Sequence, residues 1–408
     1  MPDAQVPPHS ELTETVPAIG VGARIRWLAL GALPLALLGV VLAVILATNA
    51  GIGKRSAPPI EQLNIQSVTL PHPGMLTVNV INDGPDPITI AQVTVDDAYW
   101  HFEINGERSL RRLQSATIDI PYPWVEGEAH AVGIVTSTGL VFHADIPVAM
   151  ESPHRDGETL SRFALIGFYV GIVPVTLGLL WYPFLRRLGR GGMRFILALT
   201  IGLLLFLAAD MFGEAQEVAA SSPGSFKGPL LIPGVALLTF LGMSAFANRK
   251  RGEHENNLEI SYRIALGIGL HNLAEGLAIG AAFALGEVAL GVFLVIGFTL
   301  HNVTEGIGIA APILRNRPAI RHFVWLAALG GGPAILGVWI GGFFYSPLAA
   351  TVFLAVGIGA IAQVVVDVSR LLTRGRLKSA SGFLSWATLS GLTSGMGVMY
   401  LTALVVSG

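Results

Sequence analysis

Apolar runs long enough to cross a bilayer recur through most of this chain. In lipid a backbone satisfies its own hydrogen bonds only as helices or as a closed barrel. A membrane helix needs about 20 apolar residues, and the first run, Trp27 to Thr48, holds 22 and follows Arg24 and Arg26. A secretory signal has a shorter apolar core of about 7–15 residues, so this run is read as an uncleaved anchor, with cleavage near Ala50 the less favoured alternative. Eight further runs follow, near 162–183, 194–213, 229–247, 260–284, 288–312, 323–344, 348–369 and 384–406. Charged residues make up 13% of the chain, about half the share in soluble domains.

Four domains are expected: a disordered cytoplasmic tail over 1–26, a transmembrane anchor over 27–49, an outer β-domain over 50–160 and an eight-helix domain over 161–408. The β-domain is read from short alternating runs at 75–81, 88–95, 116–120, 131–136 and 140–146. Turn signals separate them, Asn82-Asp83-Gly84-Pro85, Asn105-Gly106 and Thr138-Gly139 among them. Such spacing predicts a small antiparallel sandwich. The fold class is therefore an α-helical polytopic membrane protein, eight helices plus one N-terminal anchor, with a small all-β sandwich outside.

Orientation follows from the basic residues. With the N-terminus in the cytoplasm, the loops carrying Arg186, Arg187, Arg190 and Arg194; Arg249, Lys250 and Arg251; Arg315, Arg317 and Arg321; and Arg370, Arg374, Arg376 and Lys378 all fall on the same side. The opposite short loops hold one cation, Lys227. Enrichment of Lys and Arg marks the cytoplasmic face, so residues 50–160 and the C-terminus are placed outside. The expected location is a cell membrane of the bacterial inner-membrane kind. A net charge of −2 and the lack of a basic run argue against a nucleic-acid partner. With no cysteine in the chain, any metal chemistry falls to His and carboxylates.

Ionisable residues in the middle of a membrane helix are costly and by default mark an ion or substrate path. Four occur here in one repeated pattern, HNLAEG at 271–276 and HNVTEG at 301–306. His271 lies about 16 Å along a hydrocarbon core about 30 Å thick, and His301 lies at a similar depth in the next, antiparallel run. Residues at i and i+4 share a helix face, so each His stands one turn from its own Glu, His271 with Glu275 and His301 with Glu305. Two facing helices then offer two imidazoles and two carboxylates, a set suited to zinc and also to iron, manganese, cobalt and cadmium. Two carboxylates neutralise a divalent cation, and the empty site would take up protons instead. Asn272 and Asn302 add amide oxygens at the edge. The small residues around both motifs permit close helix approach. The competing structural reading of a single His is an interhelical hydrogen bonder, but a doubled motif with buried carboxylates has no such account.

HNLAEGLAIG and HNVTEGIGIA resemble the fourth and fifth transmembrane helices of the ZIP (Zrt-, Irt-like protein) family of divalent metal transporters. The eight runs from 162 match that family's topology, whereas the anchor and β-domain lie outside the resemblance. It implies metal uptake towards the cytoplasm. One metal site would comprise His271, Glu275, His301 and Glu305, and a neighbouring second site Asn272, Glu275, Asn302 and Glu305. Three departures stand out. Ala274 and Thr304 occupy positions where the family usually has proline. Gly330-Gly331-Gly332-Pro333 replaces a Glu-Pro pair of the sixth helix, weakening the second site. The His-rich loop before the fourth helix shrinks to residues 248–255.

Secondary candidates are Asp210 and Glu214 as an outer cation funnel, against a solvated helix end, and Gln363 with Asp367 as a release route, against an ion pair with Arg370. His72, His101, His130 and His143 lack ligand spacing and read as ordinary histidines. The functional expectation is transport of divalent metal, zinc foremost, as substrate, with no prosthetic group and no enzymatic reaction. HExxH is absent, which disfavours an intramembrane hydrolase. The alternative is a metal-binding sensor or assembly protein whose outer domain binds a partner of unknown identity. Lipid surrounds the helices, and a homodimer is compatible with the chain.

Overall fold

The computed structural model describes residues 21–48, 59–249, 257–373 and 385–407. Most of the expected 1–26 tail, residues 50–58 of the expected β-domain, most of the 248–255 loop and the basic positions Lys250, Arg251, Arg374, Arg376 and Lys378 lie outside these residues. Contacts divide the chain into two units, Met1–Pro59 and Ile60–Gly408.

The first unit contributes α1 (Val21–Ala47), 27 residues long. Its side chains from Leu30 to Ala47 are all exposed, as expected of an apolar helix whose solvent is lipid.

The second unit begins with nine antiparallel strands: β1 (Leu63–His72), β2 (Met75–Asn82), β3 (Ile88–Val95), β4 (Ala98–Trp100), β5 (Glu103–Asn105), β6 (Ser109–Leu110), β7 (Ser115–Ile120), β8 (His130–Thr136) and β9 (Val141–Ile146). One sheet runs β1-β2-β7-β5 and the other β4-β3-β8-β9, with β6 paired to β3. Alternation explains the layering: Leu76, Val78 and Val80 of β2 and Ile88 and Ile90 of β3 point into one shared core, and Val93 and Val95 return to it beyond an irregularity between Ile90 and Gln92. The five strands expected from sequence match β2, β3, β7, β8 and β9 within a residue or so. The ten-residue β1 escaped that reading because its burial does not alternate: Leu63 and Leu70 are buried and the six residues between them only partly so.

Helices follow: α2 (Gly157–Gly167), a π-turn at Phe168–Ile172, α3 (Val173–Leu180), α4 (Tyr182–Leu185), α5 (Arg190–Ala220), α6 (Gly228–Arg249), α7 (Asn257–Ala284), α8 (Val288–Ala310), α9 (Ile320–Gly331), α10 (Pro333–Phe344), α11 (Pro347–Thr373) and α12 (Trp386–Ser407). Among the described residues, eight segments are long and apolar enough to cross a membrane: part of α1, α2 through α4, α5, α6, α7, α8 with its following turn, α9 with α10, and α11. The 22-residue α12 is a further long helix. The most enclosed of them is α7, packed chiefly against α10 and α11. Glycines make that possible. A Cβ on Gly276 would lie 2.2 Å from the Ala334 carbonyl oxygen, and one on Gly337 2.1 Å from that of Leu273. The α3–α8 seam is equally close, with Gly306 facing the Val175 carbonyl at 2.2 Å by the same measure.

The β-domain is hydrogen-bonded onto one end of this bundle. Asp83, in the turn read from Asn82-Asp83-Gly84-Pro85, accepts from the backbone N–H groups of Gly224 (2.5 Å) and Ser225 (2.9 Å) in the α5–α6 loop. Asn64 donates to the Ser221 carbonyl at 3.2 Å. The C-terminal end of α5 therefore marks the β-domain face, and its N-terminal end at Arg190 marks the opposite face.

Candidate metal centre

Both motifs lie within unbroken α-helices, with Ala274 and Thr304 continuing the helical turn where proline would interrupt it. His271 is fully buried, and Glu275, His301 and Glu305 are each 5% exposed or less. The i, i+4 spacing puts His271 Nε2 2.9 Å from its own Glu275 Oε1. From the facing helix, His301 Nε2 reaches the same Oε1 at 2.6 Å. Glu305 Oε1 completes the group, 3.6 Å from His271 Nε2. His271, Glu275 and His301 can each present a ligand atom with all three within 4.8 Å of one another.

These distances can be set against metal chemistry. Tetrahedral zinc with bonds of about 2.0–2.1 Å holds its ligand atoms roughly 3.3–3.4 Å apart. The Glu305–His271 separation is already close to that, whereas the Glu275 oxygen would need to part from the two imidazoles by less than about an ångström. His271 Nε2 makes no well-directed hydrogen bond despite its closeness to Glu275, and neither oxygen of Glu305 accepts a hydrogen bond. A buried carboxylate with both oxygens unsatisfied is costly unless a cation or proton joins it.

The surroundings orient these ligands. His271 Nδ1 lies 3.0 Å from Met211 Sδ on α5. A thioether only accepts, so Nδ1 carries the hydrogen and Nε2 is left facing the cluster. Asn302 Nδ2 donates to Glu275 Oε2 at 3.2 Å and to the Val170 carbonyl at 3.0 Å. Asn272 Nδ2 donates to the Gly330 carbonyl at 2.8 Å. With both amide nitrogens committed to carbonyls, Asn272 Oδ1 and Asn302 Oδ1 remain buried and unpartnered.

A proline frees the first of these carbonyls, and the second lies at a break between helices. Pro174 has no N–H to bond Val170 four residues earlier, and the helix passes through its π-turn there. Pro333 divides α9 from α10 just after Gly330. The Gly330–Pro333 stretch thus meets Asn272 through backbone and brings no carboxylate.

The secondary candidates separate from the cluster. Glu214 lines a cavity of about 310 Å³ with Glu217, Glu287, Tyr345, Ala274 and Ala278. The cavity runs from the β-domain end of α7 to Ala274, beside Glu275. Asp210 is exposed and does not line it. Asp367 is held by Arg263 at 3.2 Å and Arg370 at 3.4 Å, so its carboxylate does not stand open to a cation. Gln363 accepts from Ser244 and leaves Nε2 without a partner. In the β-domain, His130 is buried against Asp96 at 2.8 Å, and His72, His101 and His143 are exposed. Met211, the Val170 carbonyl and Arg263 were not foreseen from sequence. Only Val170 had a signal, the proline four residues later.

No known family profile and no curated protein matches this sequence. Among solved structures, the chain is similar to the archaellum periplasmic stator protein FlaG from Sulfolobus acidocaldarius, at 16% identity and a TM-score of 0.19, over 21% of this chain and 99% of that one. The stator complex of FlaF and FlaG from the same organism gives 17% identity and a TM-score of 0.19, over 22% and 94%. The molecule is thus a set of long apolar helices, fit for a membrane, with a small antiparallel β-domain and a buried His/Glu cluster able to hold a metal ion.

Proposed function

We propose that this chain carries divalent metal ions, zinc foremost, across a membrane towards the cytoplasm, as a transporter of the ZIP kind. The observation that carries the reading is the convergence of His271, Glu275, His301 and Glu305 from two helices into one buried space, with both Glu305 oxygens unsatisfied. A resident structural ion is less consistent with an acidic cavity that extends from the β-domain side as far as Ala274, the residue before Glu275. In this account Glu214, Glu217 and Glu287 gather the cation and the four ligands replace its water. Their two negative charges offset the ion's, and protons take its place when it leaves. One full site is expected, since the second, Asn-lined position has a glycine backbone where a sixth-helix carboxylate would complete it.

Purified protein in zinc-free liposomes is expected to accumulate zinc down a gradient. Glu275→Gln should reduce the rate to about a tenth or less, since even partners of metal ligands are worth 10–100-fold. The β-domain seated on the bundle end supports a second reading, a metal sensor that signals through an outer partner. Zinc binding with no flux in the wild-type protein would favour it.

A further inference from the structure

At the face opposite the β-domain, a cavity of about 480 Å³ opens between α5, α7, the end of α8 and α11. Arg190 and Arg194, one turn apart on α5, and Arg315 after α8 all line it. Among the described residues none of the three has a carboxylate within ion-pairing distance, nor a side-chain hydrogen bond. Arg263 and Arg370 of the same half of the molecule are, by contrast, paired to Asp367. The start of α5 adds to the field. Its cap residue is Gly189, with no side chain to bond the first N–H groups, and an uncapped helix start attracts anions. Leu197 and Leu372 form apolar wall beside the arginines.

A metal cation would be repelled here, so the cavity is not a bare exit for it. Three arginines converging from two elements offer forked donors matched to phosphate oxygens, and basic pockets between membrane helices on the cytoplasmic side suit lipid headgroups. We infer that this cavity binds a phosphate group, with the apolar wall favouring one carried by an anionic phospholipid over free phosphate. The inference is independent of metal transport.

The test uses the full chain in detergent, titrated with phosphatidylglycerol, phosphatidylcholine or inorganic phosphate, and followed by thermal stability and native mass spectrometry. Phosphatidylglycerol is expected to bind and stabilise, and phosphatidylcholine to do neither. The Arg194→Gln/Arg315→Gln variant should bind phosphatidylglycerol about tenfold more weakly or worse, the scale of one or more lost charge-assisted contacts. Arg187→Gln/Arg317→Gln removes equal charge from the same face, outside the cavity, and should bind as wild type. If the first variant folds poorly, single Arg315→Gln and displacement of phosphatidylglycerol by inorganic phosphate on the wild-type protein serve instead. Saturation by inorganic phosphate at comparable concentration would identify free phosphate as the source. Equal binding by both double variants, or no preference for anionic over zwitterionic lipid, would overturn the inference and leave these arginines as topology signals alone.

Discussion

Each oxygen of Glu275 has its own task. Oε1 sits between the two imidazoles and Oε2 is held by the Asn302 amide. Asn302 is therefore first an orienting group, fixed at its other side by the Val170 carbonyl. Asn302→Ala is expected to weaken zinc binding about 10–100-fold, the usual effect of losing a ligand's partner, as read by competition with a metal-chelating dye. Unchanged affinity would show that Glu275 is positioned by its helix alone. At this scale the sequence was informative about which side chains cluster and poor on what supports them. An i, i+4 pair on one helix declares its shared face, and a repeat declares a second. That Met211 touches His271 depends on how α5 leans on α7, which no local pattern encodes. Pro174 did encode the free Val170 carbonyl, but not which side chain would take it.

Elements meet the site through backbone-to-backbone contact. A side chain at Gly306 would strike the Val175 carbonyl, and Gly306 follows Glu305 directly. Gly306→Val is expected to destabilise the protein by about 1–3 kcal/mol or more, as overpacking does, and to impair zinc binding with it. Gly397→Ala on α12, with open space around its Cβ position, is the neutral comparison in thermal unfolding. In the β-domain, the β3–β4 turn holds Asp96 and Asp97 at positive φ (49° and 64°), the two-residue geometry that matches strand twist. Partial burial alone raises the Asp96 carboxyl, but the Ala131 N–H, His130 and the Tyr122 hydroxyl bond it and hold it below its ordinary value. A carboxyl depressed by folding adds stability above its unfolded value, near 3.9, and that stability is lost as the pH falls through the lower, folded one. Asp96→Asn should thus cost stability at neutral pH, and the deficit should shrink in acid below about pH 4. Tryptophan fluorescence of unfolding across pH checks this, and a pH-independent deficit contradicts it. Helices and alternating strands were legible because their periods are local, whereas β1 was hidden by its lack of alternation and the docking of Asp83 by its distance in sequence from Gly224.

Across the whole molecule, an acidic cavity, a buried His/Glu cluster and an arginine-lined cavity follow one another from the β-domain face to the opposite one. The β-domain grips the α5–α6 loop through Asp83. Asp83→Ala should loosen that loop, seen as faster amide exchange at Gly224 and Ser225, while changing zinc uptake less than about twofold if the domain is accessory. A large loss of uptake would instead make the docked domain part of the transport unit. Eight of the nine expected apolar runs reappear among the described residues as helical segments long and apolar enough to cross a membrane, with α12 over the ninth, because a long apolar run is a local signal. The cavities were not readable from sequence, since they depend on packing between distant helices. The most direct test of the central claim is zinc flux into sealed liposomes containing wild-type, Glu275→Gln or His301→Ala protein. The account predicts saturable uptake by wild type and about tenfold or greater loss in both variants, with expression and thermal unfolding preserved. Wild-type flux no faster than that of empty liposomes, or flux unaffected by either substitution, would contradict it.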